Sequence, residues 1–192
     1  MSTIFQIADR FGVRIVRLRS EDGTNRLTRE LILSLTEVVK QSAQDPLPLV
    51  ITGNDKFFSA GADLGAIAAL DGPSALEFSH MGQRLMRLID DFPAPTYAAI
   101  SGYCMGGGLD LALACRYRIA SPHAVLAHRG AALGLITGWG GTQRLPRLIG
   151  KARALEMFVT GEKVSAACAF KIGLVDGIAD DPVAEAIRRL TG

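Results

Sequence analysis

The sequence predicts an α/β fold with largely parallel strand pairing. Short apolar runs alternate with helical patterns in β-β-α and β-α order along the chain. Two of these runs, residues 49–53 and 96–100, contain almost no polar side chain, which is typical of strands covered on both faces. A glycine-rich stretch follows each of the two runs and leads into a helical pattern. The alternation, the apolar strands and the glycine-rich junctions together indicate this fold class.

Composition sets the size of the fold and the environment in which it works. A chain of 192 residues with 48% hydrophobic residues predicts one domain with a large core. Its formal charge of +2 gives no indication of nucleic acid or of an anionic membrane surface as a partner. We expect a cytoplasmic protein without a signal peptide. Cys104, Cys115 and Cys168 are expected to be reduced, buried thiols.

The first third of the chain predicts a hairpin, a helix and a buried strand. Alternating residues 3–8 and 12–18 flank a polar turn, which predicts two paired strands. Thr28 is expected to cap a helix that runs to about residue 44, because the apolar positions after it recur on one face. Pro46 and Pro48 end this helix before the strand at residues 49–53.

The remaining elements follow from the same patterns. Helices are predicted at residues 63–70, 74–90, 107–115, 151–159, 165–170 and 182–190. Strands are predicted at residues 96–100, 116–120, 124–127 and 173–178, and residues 130–135 remain ambiguous. Because the helix at residues 107–115 is apolar nearly all round, we expect it to be buried.

The two glycine-rich stretches, residues 57–64 and 101–110, are the features on which function depends. A strand that ends in glycine and opens a helix leaves free N–H groups at the helix start. Two such groups that face each other would stabilise one negatively charged oxygen. The alternative is that these glycines only permit tight turns. A dinucleotide-binding fold is disfavoured, because the glycine spacing does not match Gly-x-Gly-x-x-Gly.

Three segments of the chain resemble the signature blocks of one known family. Residues 58–64, 101–112 and 138–147 are similar, in the same order, to the blocks of the crotonase superfamily, the enoyl-CoA hydratase/isomerase family. The resemblance implies a spiral of ββα turns that forms a single domain over residues 1–192. Residues 1–178 would form the spiral core and residues 179–192 a shortened C-terminal helical region, since family members are usually longer there.

The resemblance also implies a ligand and an oxyanion hole. The ligand would be a thioester of coenzyme A, with no permanently bound cofactor and no metal. The main-chain N–H groups of Ala60 and Gly107 would hold the thioester oxygen, on which charge builds when an enolate forms. Gly61, Ala62 and Asp63 would contact the coenzyme together with Ala60 and Gly107.

The acid–base residues of the family are only partly present. Hydratases of the family carry glutamates at two positions, which here are Asp110 and Gly130. Asp110 lies in an otherwise apolar helix and is the predicted proton-transfer residue, although it would also satisfy N–H groups at the helix start. Gly130 has no side chain, and the candidates to replace it are His128, Arg129 and His80. Trp139 is expected to pack in the core or to form a wall of the acyl site.

Two functions are compatible with these residues. The first is an enzyme of the enoyl-CoA hydratase/isomerase type in fatty acid metabolism, acting as a lyase or isomerase. One carboxylate makes isomerisation chemically easier than hydration, and thioester hydrolysis and decarboxylation stay open. The second is a catalytically weak subunit that binds a CoA thioester or serves in assembly. The resemblance implies a homo-oligomer, a trimer or hexamer, and leaves the acyl group undetermined.

Overall fold

A hairpin opens the fold. The computed structural model describes residues 4–192, and within them β1 (Phe5–Arg10) pairs with β2 (Val13–Leu18) in antiparallel register. Phe11 and Gly12 form the turn with φ angles of 53° and 73°. This confirms the predicted hairpin, with its first strand shifted toward the turn; position 3 lies outside the described residues.

A six-stranded sheet forms the main layer of the molecule. Its order is β1-β2-β3-β5-β7-β10, and every pair after the first hairpin is parallel. The largely parallel sheet that the sequence predicts is therefore confirmed. The added strands are β3 (Leu49–Thr52), β5 (Thr96–Ile100), β7 (Tyr117–Ala120) and β10 (Gly177–Ile178).

A second, four-stranded sheet is built from very short strands. Its order is β4-β6-β8-β9, with β4 and β6 lying inside the two glycine-rich stretches. The sequence analysis missed β4 and β6 because each is three residues long and shows no alternation. Each repeat of the chain therefore adds one strand to the large sheet, one strand to the small sheet and then a helix. This arrangement is the ββα spiral. The strands are β4 (Phe57–Ser59), β6 (Tyr103–Met105), β8 (Val125–Ala127) and β9 (Val164–Ser165).

Helices connect the strands and begin at identifiable caps. The Thr28 hydroxyl accepts a hydrogen bond from the Leu31 N–H at 3.2 Å, which confirms the predicted cap of the first helix. The Asp63 and Asp71 carboxylates cap the next two helices in the same way. The helices are α1 (Arg29–Ser42), α2 (Leu64–Ala68), α3 (Gly72–Asp90), α4 (Gly107–Ala114), α5 (Gly141–Ile149), α6 (Lys151–Thr160), α7 (Ala166–Lys171) and α8 (Pro182–Thr191).

Of the strand predicted at residues 173–178, only Gly177–Ile178 forms. Two segments nearer the site also differ from the sequence prediction. Helix α5 was not predicted, and it contains Pro146, a residue type that normally marks the end of a helix. The ambiguous segment before it forms a 3₁₀ turn, Gly130–Leu133. Both segments lie beside the glycine-rich stretches, so they contribute to the site described below.

The core encloses α4 completely. Leu109, Leu111 and Leu113 are buried, and Asp110 is the one charged residue of the helix. Helix α8 packs on the other side of the large sheet, where Tyr97 and Ala186 belong to a second apolar cluster. Covering both faces of the sheet explains why its central strands need no polar side chains.

The three cysteines divide between the core and the surface. Cys104 and Cys115 are buried free thiols as predicted, whereas Cys168 is exposed on α7, so the prediction of burial is wrong there. No helix within residues 4–192 combines the length and the apolar character needed to cross a bilayer.

Candidate active site

The two glycine-rich stretches meet at one cavity of about 870 Å³. Ala60, Gly61 and Ala62 line it from the first stretch, and Gly107 and Asp110 line it from the second. The other walls are mostly apolar and come from α2, α3, the 3₁₀ turn and α6; they include Ile67, Phe78, Leu135 and Phe158. A cavity with apolar walls and a few polar groups at one end is the usual form of a small-molecule site.

Glycine allows the two stretches to approach each other closely. A methyl group on Gly107 would lie 3.4 Å from the Ala62 nitrogen and 2.5 Å from the Trp139 ring. A methyl group on Gly61, where φ is +95°, would lie 2.6 Å from the Met105 carbonyl oxygen. A larger residue at position 107 would therefore displace the indole ring, and a side chain at position 61 would push the two stretches apart.

Main-chain hydrogen bonds decide which N–H groups are available. The Ala60 N–H donates to the Thr24 carbonyl oxygen at 2.9 Å. This bond occupies the donor that the family resemblance assigns to the oxyanion, so the assignment of Ala60 is corrected. The N–H groups of Ala62 and Gly107 make no hydrogen bond to any acceptor within residues 4–192. The free donors at the meeting point are therefore those of Ala62 and Gly107.

Asp110 is a buried carboxylate at the inner end of the cavity. Its side chain is 1% exposed, and its Oδ2 accepts a hydrogen bond from the Thr137 hydroxyl. Burial raises the pKa of Asp110 to about 6, although Thr137, the Arg144 charge and the nearby N–H groups of Trp139 and Gly141 act in the opposite direction. A carboxyl with this pKa exchanges a proton easily near neutral pH.

His128 lies beside Asp110. Its Nε2 is 3.6 Å from Asp110 Oδ1, and its ring packs against Phe158 with the centroids 5.1 Å apart. Burial lowers the pKa of His128 to about 4, so the imidazole is neutral at pH 7. The pair is therefore a carboxylate next to a neutral imidazole, and an ion pair does not form.

Gly130, at the position of the family's second glutamate, has no side chain that could transfer a proton. A methyl group on Gly130 would lie 2.6 Å from the Leu135 carbonyl oxygen, and the Leu135 N–H donates to the Gly130 carbonyl oxygen at 2.9 Å. The backbone at the 3₁₀ turn therefore occupies the space that a side chain at position 130 would need. Among the residues that line the cavity, Asp110 carries the only carboxylate.

The remaining sequence candidates divide between the cavity and the surface. Arg129 and Trp139 line the cavity, and the buried Trp139 indole also donates to the Phe78 carbonyl oxygen at 3.3 Å. His80 is exposed on α3 and lines a different depression, so it does not reach Asp110. Asp63 caps α2 through the Ala66 N–H at 2.9 Å and does not line the cavity.

Sequence reasoning missed Thr137 entirely. This residue lies 27 positions after Asp110, between the 3₁₀ turn and α5. A threonine in a glycine-rich loop carries no periodicity or spacing that would single it out. Only the fold brings its hydroxyl to the carboxylate.

Comparison with known proteins places this chain in a family. The model of the enoyl-CoA hydratase/isomerase family matches residues 9–191. The crystal structure of an enoyl-CoA hydratase from Bacillus anthracis superposes with a TM-score of 0.93 at 34% identity, covering 98% of this chain and 75% of that one. An enoyl-CoA hydratase from Thermoplasma volcanium gives the same TM-score at 32% identity, covering 98% of this chain and 76% of that one.

The chain belongs to the enoyl-CoA hydratase/isomerase family, with the crotonase fold that its sequence predicts. A curated relative, the crotonyl-CoA hydratase of Syntrophomonas wolfei, is 37% identical over 167 residues. That match covers 85% of this chain, and the chain spans 64% of the length of the relative.

The contact between the start of α4 and the Trp139 ring predicts the effect of a single methyl group. Gly107→Ala should lower the free energy of unfolding by about 1–3 kcal/mol, because the new carbon overlaps the Trp139 ring. Gly72→Ala is the matched control, since a methyl group at this first residue of α3 meets nothing within 4 Å. Urea unfolding of both variants measures the difference, and equal stabilities would contradict the close contact.

The buried carboxylate predicts a pH-dependent change in stability. Since the pKa of Asp110 rises from 3.8 to about 6 on folding, its contribution to stability falls as the pH rises from about 4 to 6. The pKa of His128 falls from 6.5 to about 4, so its contribution rises over nearly the same range. Asp110→Asn removes only the first effect. Its stability relative to wild type should therefore increase by about 2 kcal/mol between pH 4 and pH 7.

Urea unfolding at half-unit pH steps measures this change. Asp180→Asn, at an exposed position, is the control for losing one carboxylate at the surface. A difference between Asp110→Asn and wild type that stays constant with pH would contradict the raised pKa.

Proposed function

We propose that the chain binds a thioester of coenzyme A and catalyses a reaction of the enoyl-CoA hydratase/isomerase type. The observation that carries this proposal is the pair of free N–H groups, those of Ala62 and Gly107, in one cavity with the buried carboxylate of Asp110. Membership of the family supports the same substrate class. The relatives' names describe hydratases of crotonyl-CoA and enoyl-CoA.

In this proposal the two N–H groups form the oxyanion hole. Adding water to the double bond, or removing a proton next to the thioester, moves negative charge onto the thioester oxygen. Donors that already point at that oxygen stabilise the enolate without reorganising, and one such donor is typically worth about 3–4 kcal/mol. The pairing of Ala62 with Gly107 replaces the pairing of Ala60 with Gly107, because the Ala60 N–H is bonded to Thr24.

Asp110 is the proposed proton-transfer residue. At pH 7 a carboxyl with a pKa of about 6 is mostly ionised and serves as the base, yet its conjugate acid is strong enough to return the proton. The apolar walls beside it suit an acyl chain. The turn formed by Ala60, Gly61, Ala62 and Asp63 would contact the coenzyme, which enters as part of the substrate.

Oligomerisation and location remain predictions. We propose a homo-oligomer, a trimer or hexamer, in the cytoplasm. Light scattering coupled to gel filtration measures the oligomeric state.

A second candidate function follows from Gly130. With Asp110 as the only carboxylate among the lining residues, the chain would be a subunit that binds a CoA thioester without efficient turnover. This candidate predicts tight binding of crotonyl-CoA and no consumption of it. Sibling reactions on the same oxyanion hole, thioester hydrolysis and decarboxylation, are distinguished by their products.

The test is a panel of CoA thioesters followed by mass spectrometry. Wild type should add water to, or shift the double bond of, at least one enoyl-CoA. Asp110→Asn should lower kcat by about 10²–10⁴-fold, because one positioned acid–base group contributes about that factor. Asp180→Asn is the matched surface control. Binding without any product from the panel would reject the enzyme in favour of the binding subunit.

A further inference from the structure

We propose that His128 is the second proton-handling residue of the site, sharing one proton with Asp110 through Nε2 and Oδ1. The inference rests on the proposed function and goes beyond it, because the residue at the second family position, Gly130, has no side chain. His128 reaches the same carboxylate from a different strand end, directly after β8.

The geometry of two unpartnered atoms carries the inference. Asp110 Oδ1 and His128 Nε2 are 3.6 Å apart, and neither has a hydrogen-bond partner among the residues that the structure describes. Both side chains are at least 95% buried, and both residues line the cavity. Buried polar atoms without partners are rare in folded proteins and are characteristic of sites where a ligand or a moving proton completes the bonding.

Thr137 determines which oxygen of Asp110 takes part. Its hydroxyl donates to Oδ2, so Oδ1 is the oxygen left for proton transfer. Oδ1 also lies against the first residue of α5, because a methyl group on Gly141 would overlap it. One oxygen is therefore held in place by Thr137 while the other lies beside the imidazole.

The other charged or titratable groups near Asp110 do not compete for this role. The Arg144 guanidinium is bonded to Asp90 at 3.0 Å, and an arginine keeps its proton in any case. The Cys104 thiol is buried and does not line the cavity. Of the titratable side chains that line the cavity, Arg129 stays charged, which leaves Asp110 and His128 as the pair that exchanges a proton.

The proposed step balances with one proton. In hydration the water oxygen bonds to Cβ of the enoyl group, one water O–H bond breaks, and the Asp110–His128 pair takes the proton. The electrons of the double bond move onto the thioester and form the enolate. The pair then returns its proton to Cα, and both residues end as they began. In isomerisation the pair takes the proton from one carbon and returns it to another, with no water consumed.

Substitution of His128 tests the inference in turnover. His128→Asn and His128→Gln should lower kcat by about 10²-fold or more while the KM for the thioester stays within a few-fold of wild type. His123→Asn removes an exposed histidine and is the matched control, expected to keep the wild-type rate. Folded His128 variants with the wild-type kcat and pH profile would overturn the role of His128 and leave the proposed function intact.

A measurement on intact protein decides the case in which the variants do not fold or wild type turns over no thioester. In ¹⁵N-histidine NMR, the Nε2 resonance of His128 should shift as Asp110 titrates near pH 6. The shift should be lost in Asp110→Asn. An Nε2 resonance that does not respond near pH 6 would overturn the shared proton whatever the activity. If wild type turns over no thioester but the NMR shift is present, the proposed enzyme is rejected and the shared proton stands.

Discussion

The close approach of the Gly61–Ala62 turn to the start of α4 is the constraint on which the site depends. Two pieces of chain about 45 residues apart meet so closely that a single methyl group on Gly61 would overlap the Met105 carbonyl oxygen. The contact holds two unbonded N–H groups at the edge of one cavity. Without it, the same residues would form two unrelated strand-to-helix turns.

The energetic cost of this arrangement is a buried carboxylate in α4, the helix that follows the contact. Helix α4 is buried and apolar, yet it begins with the N–H groups of the site and carries a carboxylate one turn later. Burying Asp110 is tolerable because the Thr137 hydroxyl donates to one of its oxygens and the N–H groups of Trp139 and Gly141 lie nearby. Burial destabilises the ionised form of Asp110, and the same effect raises the pKa of its carboxyl to about 6.

Much of the fold followed from the sequence, and the reasons are visible in particular residues. The central strands could be predicted because a strand covered on both faces needs an unbroken apolar run, and Thr28 could be predicted as a helix cap from its hydroxyl. The short strands β4 and β6 could not, since three residues show no period. Helix α5 was missed because Pro146 normally marks the end of a helix.

Only the parts of the site that belong to sequence motifs could be predicted. The glycine stretches indicated where two N–H donors would meet, but which alanine is free depends on the Thr24 carbonyl, a contact from a distant turn. His128 could be named as a candidate only because it lies near Gly130 in the sequence, and Thr137 gave no signal at all. Tertiary packing brings both residues to Asp110.

The central claim is that one anionic oxygen rests between the N–H groups of Ala62 and Gly107. A crystal structure with butyryl-CoA, a saturated thioester that cannot be hydrated, measures this directly. The account predicts the thioester oxygen at about 2.7–3.1 Å from both nitrogens. A thioester oxygen bonded to neither nitrogen, or an acyl group outside this cavity, would contradict it.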